Sequence, residues 1–107
     1  MDAVLGLDTS CYTTSAAAVD AQGKVIAFSR LLLPVEAGQR GLRQSEAVFA
    51  HVRQLPRVVE SLMAELPPEA TIRAVCASSK PRDEADSYMP VFQTGCGYGR
   101  GIAAALR

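Results

Sequence analysis

The chain has 107 residues, of which 49% are hydrophobic and 21% are charged, a composition typical of one small globular domain. Eleven basic and eleven acidic side chains cancel, so the net charge predicts no general attraction to nucleic acid or to an acidic membrane surface. No stretch approaches the roughly 20 apolar residues of a membrane span, and we therefore expect no membrane partner.

Three strands are predicted in the first third of the chain. Residues 3–7 form a continuous apolar run, which is typical of a strand buried on both faces. Residues 15–19 form a second apolar run, and residues 20–24 form a turn with a glycine near its end. Residues 25–33 form a third strand, which Pro34 closes. Because these connections are short, the three strands are predicted to form an antiparallel meander.

A long helix is predicted in the middle of the chain, after a polar loop at residues 36–41. Residues 45–66 form this helix, because their apolar positions recur at steps of four and three. These positions are Val48, Val52, Leu55, Val59, Leu62 and Leu66. Pro56 lacks the N–H group that would bond back to Val52, so we expect it to kink the helix or to start a second one.

The last third of the chain completes the predicted order of elements. Residues 72–77 have the composition of a fourth strand, residues 78–90 form a long polar loop, and residues 91–106 form a helix. The order β-β-β-α-β-α is how a ribonuclease H-like fold begins. We predict an α/β fold with a mixed sheet, in which residues 1–107 form a single lobe that stops before a fifth strand. The apolar helix at the end has no glycine cap, so we expect a fragment of a longer protein.

The segment between the first two predicted strands, residues 8–14, is the main candidate for chemistry and is called the tip segment below. It contains Asp8, Thr9, Ser10, Cys11, Tyr12, Thr13 and Thr14. Hydroxyl groups and the N–H groups of a tight turn can donate hydrogen bonds to a phosphate. Asp8 can hold Mg²⁺ through water, because Mg²⁺ in proteins usually keeps several waters. The alternative is a turn in which the side chains of Asp8 and Ser10 form hydrogen bonds with backbone groups of the same turn.

The single histidine and the three cysteines have several interpretations. His51 lies among apolar residues of the predicted helix, which favours a structural role over contact with a substrate or partner in a cleft. Cys11 could be a reactive thiol, although no basic residue lies beside it in the sequence. With Cys76 and Cys96 the cysteines are odd in number and lack metal-ligand spacing, which favours a reduced, cytoplasmic location and no metal site within this chain.

Two further segments could contribute to a site. The long polar loop begins with Ser78 and Ser79; it is either a solvated loop or a segment that faces the cleft of the whole protein. Residues 95–101 read GCGYGRG, which departs from the G-x-G-x-x-G spacing of dinucleotide-binding turns and does not directly follow a strand. These glycines predict a close approach of the helix to another element, with a phosphate contact at the helix start as the alternative.

Three motifs in order resemble the glycoprotease family, also called O-sialoglycoprotein endopeptidase-like, of the actin-like ATPase superfamily. LGLDTSCYTTSAAAVD is similar to the start of its tRNA threonylcarbamoyladenosine synthase branch, Gly-Ile-Glu-Thr-Ser-Cys-Asp-Glu-Thr. HVRQLPRVVESLM is similar to the family's His-then-Leu-Pro helix, and GYGRGIAAAL to its Phe-Ala-Arg-Gly-Leu-Ala helix. The resemblance spans nearly the whole chain but only the first part of a family member.

The resemblance implies a nucleotide site in the intact protein. Mg·ATP or a related adenylate would lie between two lobes, with Asp8 positioning the metal. The phosphates would face Thr9, Ser10, Cys11, Thr13 and Thr14. The divalent metal ligands and the adenosine pocket would lie beyond Arg107, so this chain alone would be inactive. The intact protein would act in tRNA threonylcarbamoyladenosine modification with family-type partner proteins, and would contact tRNA only indirectly.

Two departures from the family pattern imply a divergent paralogue. Tyr12 and Thr13 replace the Asp-Glu pair of the synthase branch, and residues 78–90 replace its Ala-Gly-Pro-Gly type loop. The alternative function is therefore a non-catalytic paralogue that binds a partner or dimerises. In that case the chain would associate with itself through an exposed sheet edge or the last helix. No protease constellation is visible, so the family's peptidase name does not predict an activity here.

Overall fold

The computed structural model describes residues 1–35, 43–81 and 89–106. The strands are β1 (Asp2–Asp8), β2 (Thr13–Asp20), β3 (Val25–Leu32) and β4 (Thr71–Ala77), and the helices are α1 (Gln44–Glu65) and α2 (Pro90–Leu106). This order confirms the predicted β-β-β-α-β-α sequence. The predicted loop at residues 36–41, and most of the one at residues 78–90, lie outside the described residues.

The four strands form one mixed sheet in the order β3-β2-β1-β4. β1 pairs antiparallel with β2, β2 pairs antiparallel with β3, and β1 pairs parallel with β4. The parallel pair is possible because α1 carries the chain back across the sheet, as a crossover connection requires. The predicted α/β class, the meander and the mixed sheet are confirmed. The division of the whole protein into lobes stays a prediction.

Both helices cover the same face of the sheet, with α1 over β2 and β3 and α2 over β4 and β1. The core between them contains Leu5, Leu7, Ala16, Ala18, Leu55, Val58 and Leu62. The alanines of β2 are small, so α1 can approach the strand closely. The prediction that β1 is buried on both faces is wrong. Its burial alternates, because Ala3, Leu5 and Leu7 face the helices while Val4 is exposed.

The helix α1 differs from its prediction in two ways. It is one continuous helix with Pro56 inside it, so the sequence-based expectation of a second helix is wrong. Burial of Leu55 and Leu62 on either side of the proline stabilises the helix across the missing hydrogen bond. The buried face is also rotated relative to the predicted one. It consists of Ala47, Ala50, His51, Leu55, Val58 and Leu62, whereas Val52 is 52% exposed.

In the part of the chain that the structure describes, neither helix combines the length and the hydropathy needed to cross a membrane.

Candidate functional site

The tip segment lies at the carboxyl ends of two parallel neighbours, β1 and β4. Asp8 is the last residue of β1, and Ser78 follows the last residue of β4. The N–H group of Ser78 donates to the carbonyl oxygen of Leu7 at 3.2 Å, which extends the parallel ladder by one step. In open α/β sheets, ligands bind in the crevice outside the carboxyl ends of the strands. The fold therefore places this segment at the edge where a ligand site is expected.

Asp8 lies at the centre of this edge, bonded to the two serines beside it. The Ser78 hydroxyl donates to Asp8 Oδ1 at 2.5 Å, and the Ser10 N–H group donates to the same oxygen at 3.0 Å. Partial burial raises the pKa of Asp8, but hydrogen bonds from Ser78 and Ser10 and the charge of His51 outweigh it, so the pKa is lowered. The carboxylate is therefore ionised at neutral pH, and its Oδ1 atom closes a turn by accepting from the Ser10 N–H group.

Thr9 points into the protein, away from the open edge. Its side chain is fully buried, and its hydroxyl donates to the carbonyl oxygen of Val91 at 2.6 Å and accepts from the N–H group of Gly95 at 3.2 Å. Those are the two groups that a regular α-helix joins directly. The Thr9 hydroxyl thus bonds with a turn of α2, and its contact with a phosphate stays a prediction.

Thr14 is also fully buried, at the centre of a polar network with α1. Its Oγ1 lies 2.8 Å from Nδ1 of His51 and 3.0 Å from Oε1 of Gln54. The other ring nitrogen, Nε2, lies 2.9 Å from the carbonyl oxygen of Cys11, and Nε2 of Gln54 donates to the carbonyl oxygen of Leu32 at 3.0 Å. The network fixes the end of the tip segment to α1, so the Thr14 hydroxyl is also turned away from the edge.

His51 has no exposed surface within the described residues, which favours the structural interpretation, and its contact with a substrate or partner in a cleft stays a prediction. Burial lowers the pKa of its imidazole, while the hydrogen bond to the Cys11 carbonyl and the charge of Asp8 raise it; the net pKa is below the ordinary value for histidine. The ring therefore acts as a buried polar anchor for the tip segment.

The remaining predicted residues lie at the surface of this edge. Cys11 and Ser79 are exposed, and Thr13 is half-buried. The structure thus brings Asp8, Ser10 and Ser78 together with Cys11, Thr13 and Ser79 around them, and turns Thr9 and Thr14 inward. Among residues 1–35, 43–81 and 89–106, no group of three or more His, Cys, Asp or Glu side chains could hold a metal ion. The roles of these residues in phosphate and Mg²⁺ binding stay predictions.

The glycines of α2 confirm the predicted close approach at two positions. A Cβ atom at Gly95 would lie 2.9 Å from Thr9 Oγ1, and one at Gly99 would lie 3.2 Å from a methyl carbon of Val75. Gly97 and Gly101 meet nothing within 4 Å. Two of the four glycines are therefore required for packing of α2 against the tip segment and β4.

Gln54 is the functional candidate that sequence reasoning missed. It completes the network below the tip segment by joining Thr14 to β3. A signal was present, because a glutamine three positions after a buried histidine lies on the same side of a helix. That signal is weak, since most glutamines on helices are solvated.

The fold and the position of the tip segment define a ribonuclease H-like α/β lobe. A solved structure with this fold is YeaZ from Pseudomonas aeruginosa, with a TM-score of 0.63 and 21% sequence identity. The similarity covers 99% of this chain and 40% of that chain, so this chain spans well under half of YeaZ. No family model matches the sequence, and no curated protein matches it. The likeness therefore shows a shared fold.

Proposed function

We propose that this chain is the N-terminal lobe of a glycoprotease-family protein, and that the intact protein binds Mg·ATP or a related adenylate at the tip segment. Two independent observations support the family. Three sequence motifs occur in the family's order, and the fold is that of YeaZ, a homologue of glycoprotease-family proteins. The resemblance in sequence and the likeness in structure both cover nearly the whole of this chain.

The observation that carries the proposal is the position of Asp8. Its ionised carboxylate lies at the carboxyl end of β1, with the hydroxyl groups of Ser10 and Ser78 beside it. A carboxylate accepts hydrogen bonds from water molecules on Mg²⁺, and charge-assisted bonds of this kind are stronger than neutral ones. When bound, the ion would neutralise charge on the phosphates, and Asp8 would orient its water shell.

The backbone around Asp8 is held in place before any ligand arrives. Thr9 is bonded to α2, the Cys11 carbonyl is bonded to His51 of α1, and the carbonyl of Tyr12 accepts from the N–H group of Leu33 at 2.8 Å. A site on such a support does not lose backbone freedom when a ligand binds. This supports a binding role for the groups at the edge, with Thr9 and His51 as their support.

We expect Asp8→Asn to weaken binding of ATP to the intact protein about tenfold or more in the presence of Mg²⁺, the size expected for a charge-assisted hydrogen bond. Asparagine keeps an oxygen that can accept from the Ser10 N–H group, so the turn is expected to remain. Calorimetric titrations with and without Mg²⁺ measure the effect. The difference between the two variants should disappear without the metal.

The matched control is Asp20→Asn, which makes the same change in the turn between β2 and β3. Asp20 accepts from the N–H groups of Gln22 and Lys24, at the opposite end of β2 from the tip segment. It should leave the affinity for Mg·ATP unchanged. Equal affinities for wild type and Asp8→Asn would remove Asp8 from the site.

The finer function rests on the sequence resemblance. We propose that the intact protein takes part in tRNA threonylcarbamoyladenosine modification as a transferase-like enzyme, with the adenosine pocket and the divalent metal ligands contributed by residues beyond Arg107. tRNA would contact this lobe only indirectly, through family-type partner proteins. A cytoplasmic location is proposed because all three cysteines are free thiols.

A second candidate function is partner binding or dimerisation, and an exposed groove favours it. The groove runs between the edge strand β4 and α2. It is lined mostly by small and apolar residues and by one arginine: Val75, Cys76, Ala77, Cys96, Gly99, Arg100 and Ala103. An edge strand beside an apolar helix face favours association with another chain. On this hypothesis the divergence at Tyr12 and Thr13 reflects a lobe that kept its scaffold for binding a second copy or a partner protein.

We expect this chain to form dimers or larger species through the groove, and Ala103→Glu to shift them towards monomer by filling part of the groove with a longer, charged side chain. Light scattering across a concentration series measures the shift. Ala104→Glu makes the same change at an exposed position of α2 that does not line the groove, and it should leave the association unchanged. A monomeric wild type at high concentration would contradict self-association.

A further inference from the structure

The carbonyl groups at its two ends decide which atoms of the network below the tip segment donate and which accept. Carbonyl oxygens only accept, so the Leu32 carbonyl fixes Nε2 of Gln54 towards itself. Oε1 of Gln54, an acceptor, therefore faces Thr14. In the same way, the Cys11 carbonyl requires a hydrogen on Nε2 of His51. When the ring is neutral, its Nδ1 atom is then an acceptor as well.

This arrangement leaves one hydrogen for two acceptors. The Thr14 hydroxyl has a single hydrogen, and it lies 2.8 Å from Nδ1 of His51 and 3.0 Å from Oε1 of Gln54. Whichever acceptor receives the hydrogen, the other faces the lone pairs of Thr14 Oγ1. Thr14 and His51 have no exposed surface and Gln54 is half-buried, and a polar atom without a partner costs most where it is fully buried, as at Nδ1 of His51.

We propose that Thr14, His51 and Gln54 form a buried proton-binding site, in which a proton taken up at Nδ1 gives every contact one hydrogen without moving a heavy atom. The proton comes from the solvent and adds to the Nδ1 lone pair. The new N–H group then donates to Thr14 Oγ1, and the Thr14 hydroxyl hydrogen turns to Oε1 of Gln54. No bond between heavy atoms forms or breaks, and the ring gains one positive charge.

The charges around the ring support uptake of this proton, while burial opposes it. Within the described residues, the charged group that acts on the ring is Asp8 of β1, and its carboxylate favours the protonated form. The partners from the tip segment and from β2 are neutral. Charged side chains on the packed elements are exposed: Glu46, Arg53 and Arg57 on α1, Arg30 on β3 and Arg100 on α2. Since burial dominates, the pKa of the ring lies below the ordinary value for histidine, and the ring protonates only below that value.

Protonation matters because the ring holds the Cys11 carbonyl of the tip segment. A positive charge behind this segment favours an anion in front of it, so acid should strengthen phosphate binding there. By linkage, a bound phosphate should in turn favour the protonated ring. This consequence rests on the proposed function, whereas the proton-binding site itself does not depend on it.

The test is a pH titration of the His51 ring nitrogens by NMR in the full chain labelled with ¹⁵N. His51 is the only histidine of the sequence, so the ring signals need no assignment. We expect a neutral ring with its hydrogen on Nε2 near neutral pH, and both nitrogens protonated in the folded chain at mildly acidic pH. A ring that protonates only as the chain unfolds, or a neutral ring with its hydrogen on Nδ1, would overturn the proposal.

The decisive variant is Gln54→Leu, which removes the second acceptor. Thr14 can then donate to Nδ1, the neutral ring is fully bonded, and the protonation constant of His51 should fall about tenfold, the effect of one hydrogen bond. Gln44→Leu makes the same change at an exposed position of α1 and should leave the titration unaltered. A protonation constant that is unchanged or higher in Gln54→Leu refutes the site.

If this variant does not fold, the wild-type titration decides. Neither measurement involves a nucleotide, so failure of the proposed function leaves both interpretable.

Discussion

Replacing Gly95 by alanine is expected to destabilise the lobe by about 1–3 kcal/mol. The added methyl carbon would lie 2.9 Å from Thr9 Oγ1, closer than carbon and oxygen atoms pack. The Thr9 hydroxyl cannot move aside freely, because it donates to the Val91 carbonyl at 2.6 Å within a buried contact. Either α2 shifts away from the tip segment or the hydrogen bonds of Thr9 are lost. Both costs exceed the gain of about 1 kcal/mol in helix propensity.

A matched control for this substitution exists two residues further along α2. Gly97 is exposed and meets no atom within 4 Å, so Gly97→Ala should stabilise the lobe by up to about 1 kcal/mol through helix propensity alone. Urea unfolding followed by circular dichroism measures both variants. The expected result is a change of opposite sign at the two positions. If both substitutions stabilise the lobe, the close contact between α2 and the tip segment is absent.

Replacing Thr9 by valine is expected to destabilise the lobe by about 2 kcal/mol, because two buried polar groups of α2 lose their shared partner. Valine has nearly the shape of threonine, so packing is preserved while the hydroxyl is removed. The carbonyl of Val91 and the N–H group of Gly95 would be left facing a methyl group. Thr9→Ser keeps the hydroxyl and should retain most of the stability.

The same pair of variants distinguishes two roles for Thr9. If Thr9 only positions the tip segment, the lobe should be less stable in Thr9→Val and should regain its stability in Thr9→Ser, as unfolding in urea would show. If Thr9 contacts phosphate, Thr9→Val should instead weaken binding of Mg·ATP to the intact protein while the stability of the lobe stays unchanged. That second outcome would favour the role predicted from the sequence over the one that its buried contacts indicate.

These contacts make the tip segment a junction between the two helices and the sheet. Thr9 bonds with α2, His51 of α1 bonds with the Cys11 carbonyl, and Ser78 after β4 bonds with Asp8. A displacement of either helix would therefore be transmitted to the backbone beside Asp8.

The sequence alone singled out the candidate residues, but it predicted neither the contact between Ser78 and Asp8 nor the direction in which the side chains point. Asp8, Ser10 and Ser78 were all singled out, and the structure brings them to one edge. Thr9 and Thr14 have the same side chain as Thr13, and nothing in their spacing separates a buried hydroxyl from a half-buried one. Their direction depends on strand alternation and on where α1 and α2 pack, and both require the folded sheet.

The amino-acid sequence by itself determined the order of the elements and the α/β class, because apolar periodicity and turn residues are local signals. Its pattern assigned Val52 to the apolar face of α1, whereas the folded lobe buries the side that contains His51 and Val58. Only the tertiary structure decided that face, the single covered side of β1 and the partners of Thr9 and Thr14. These features result from contacts between residues up to 86 positions apart, and no local pattern of side chains encodes such contacts.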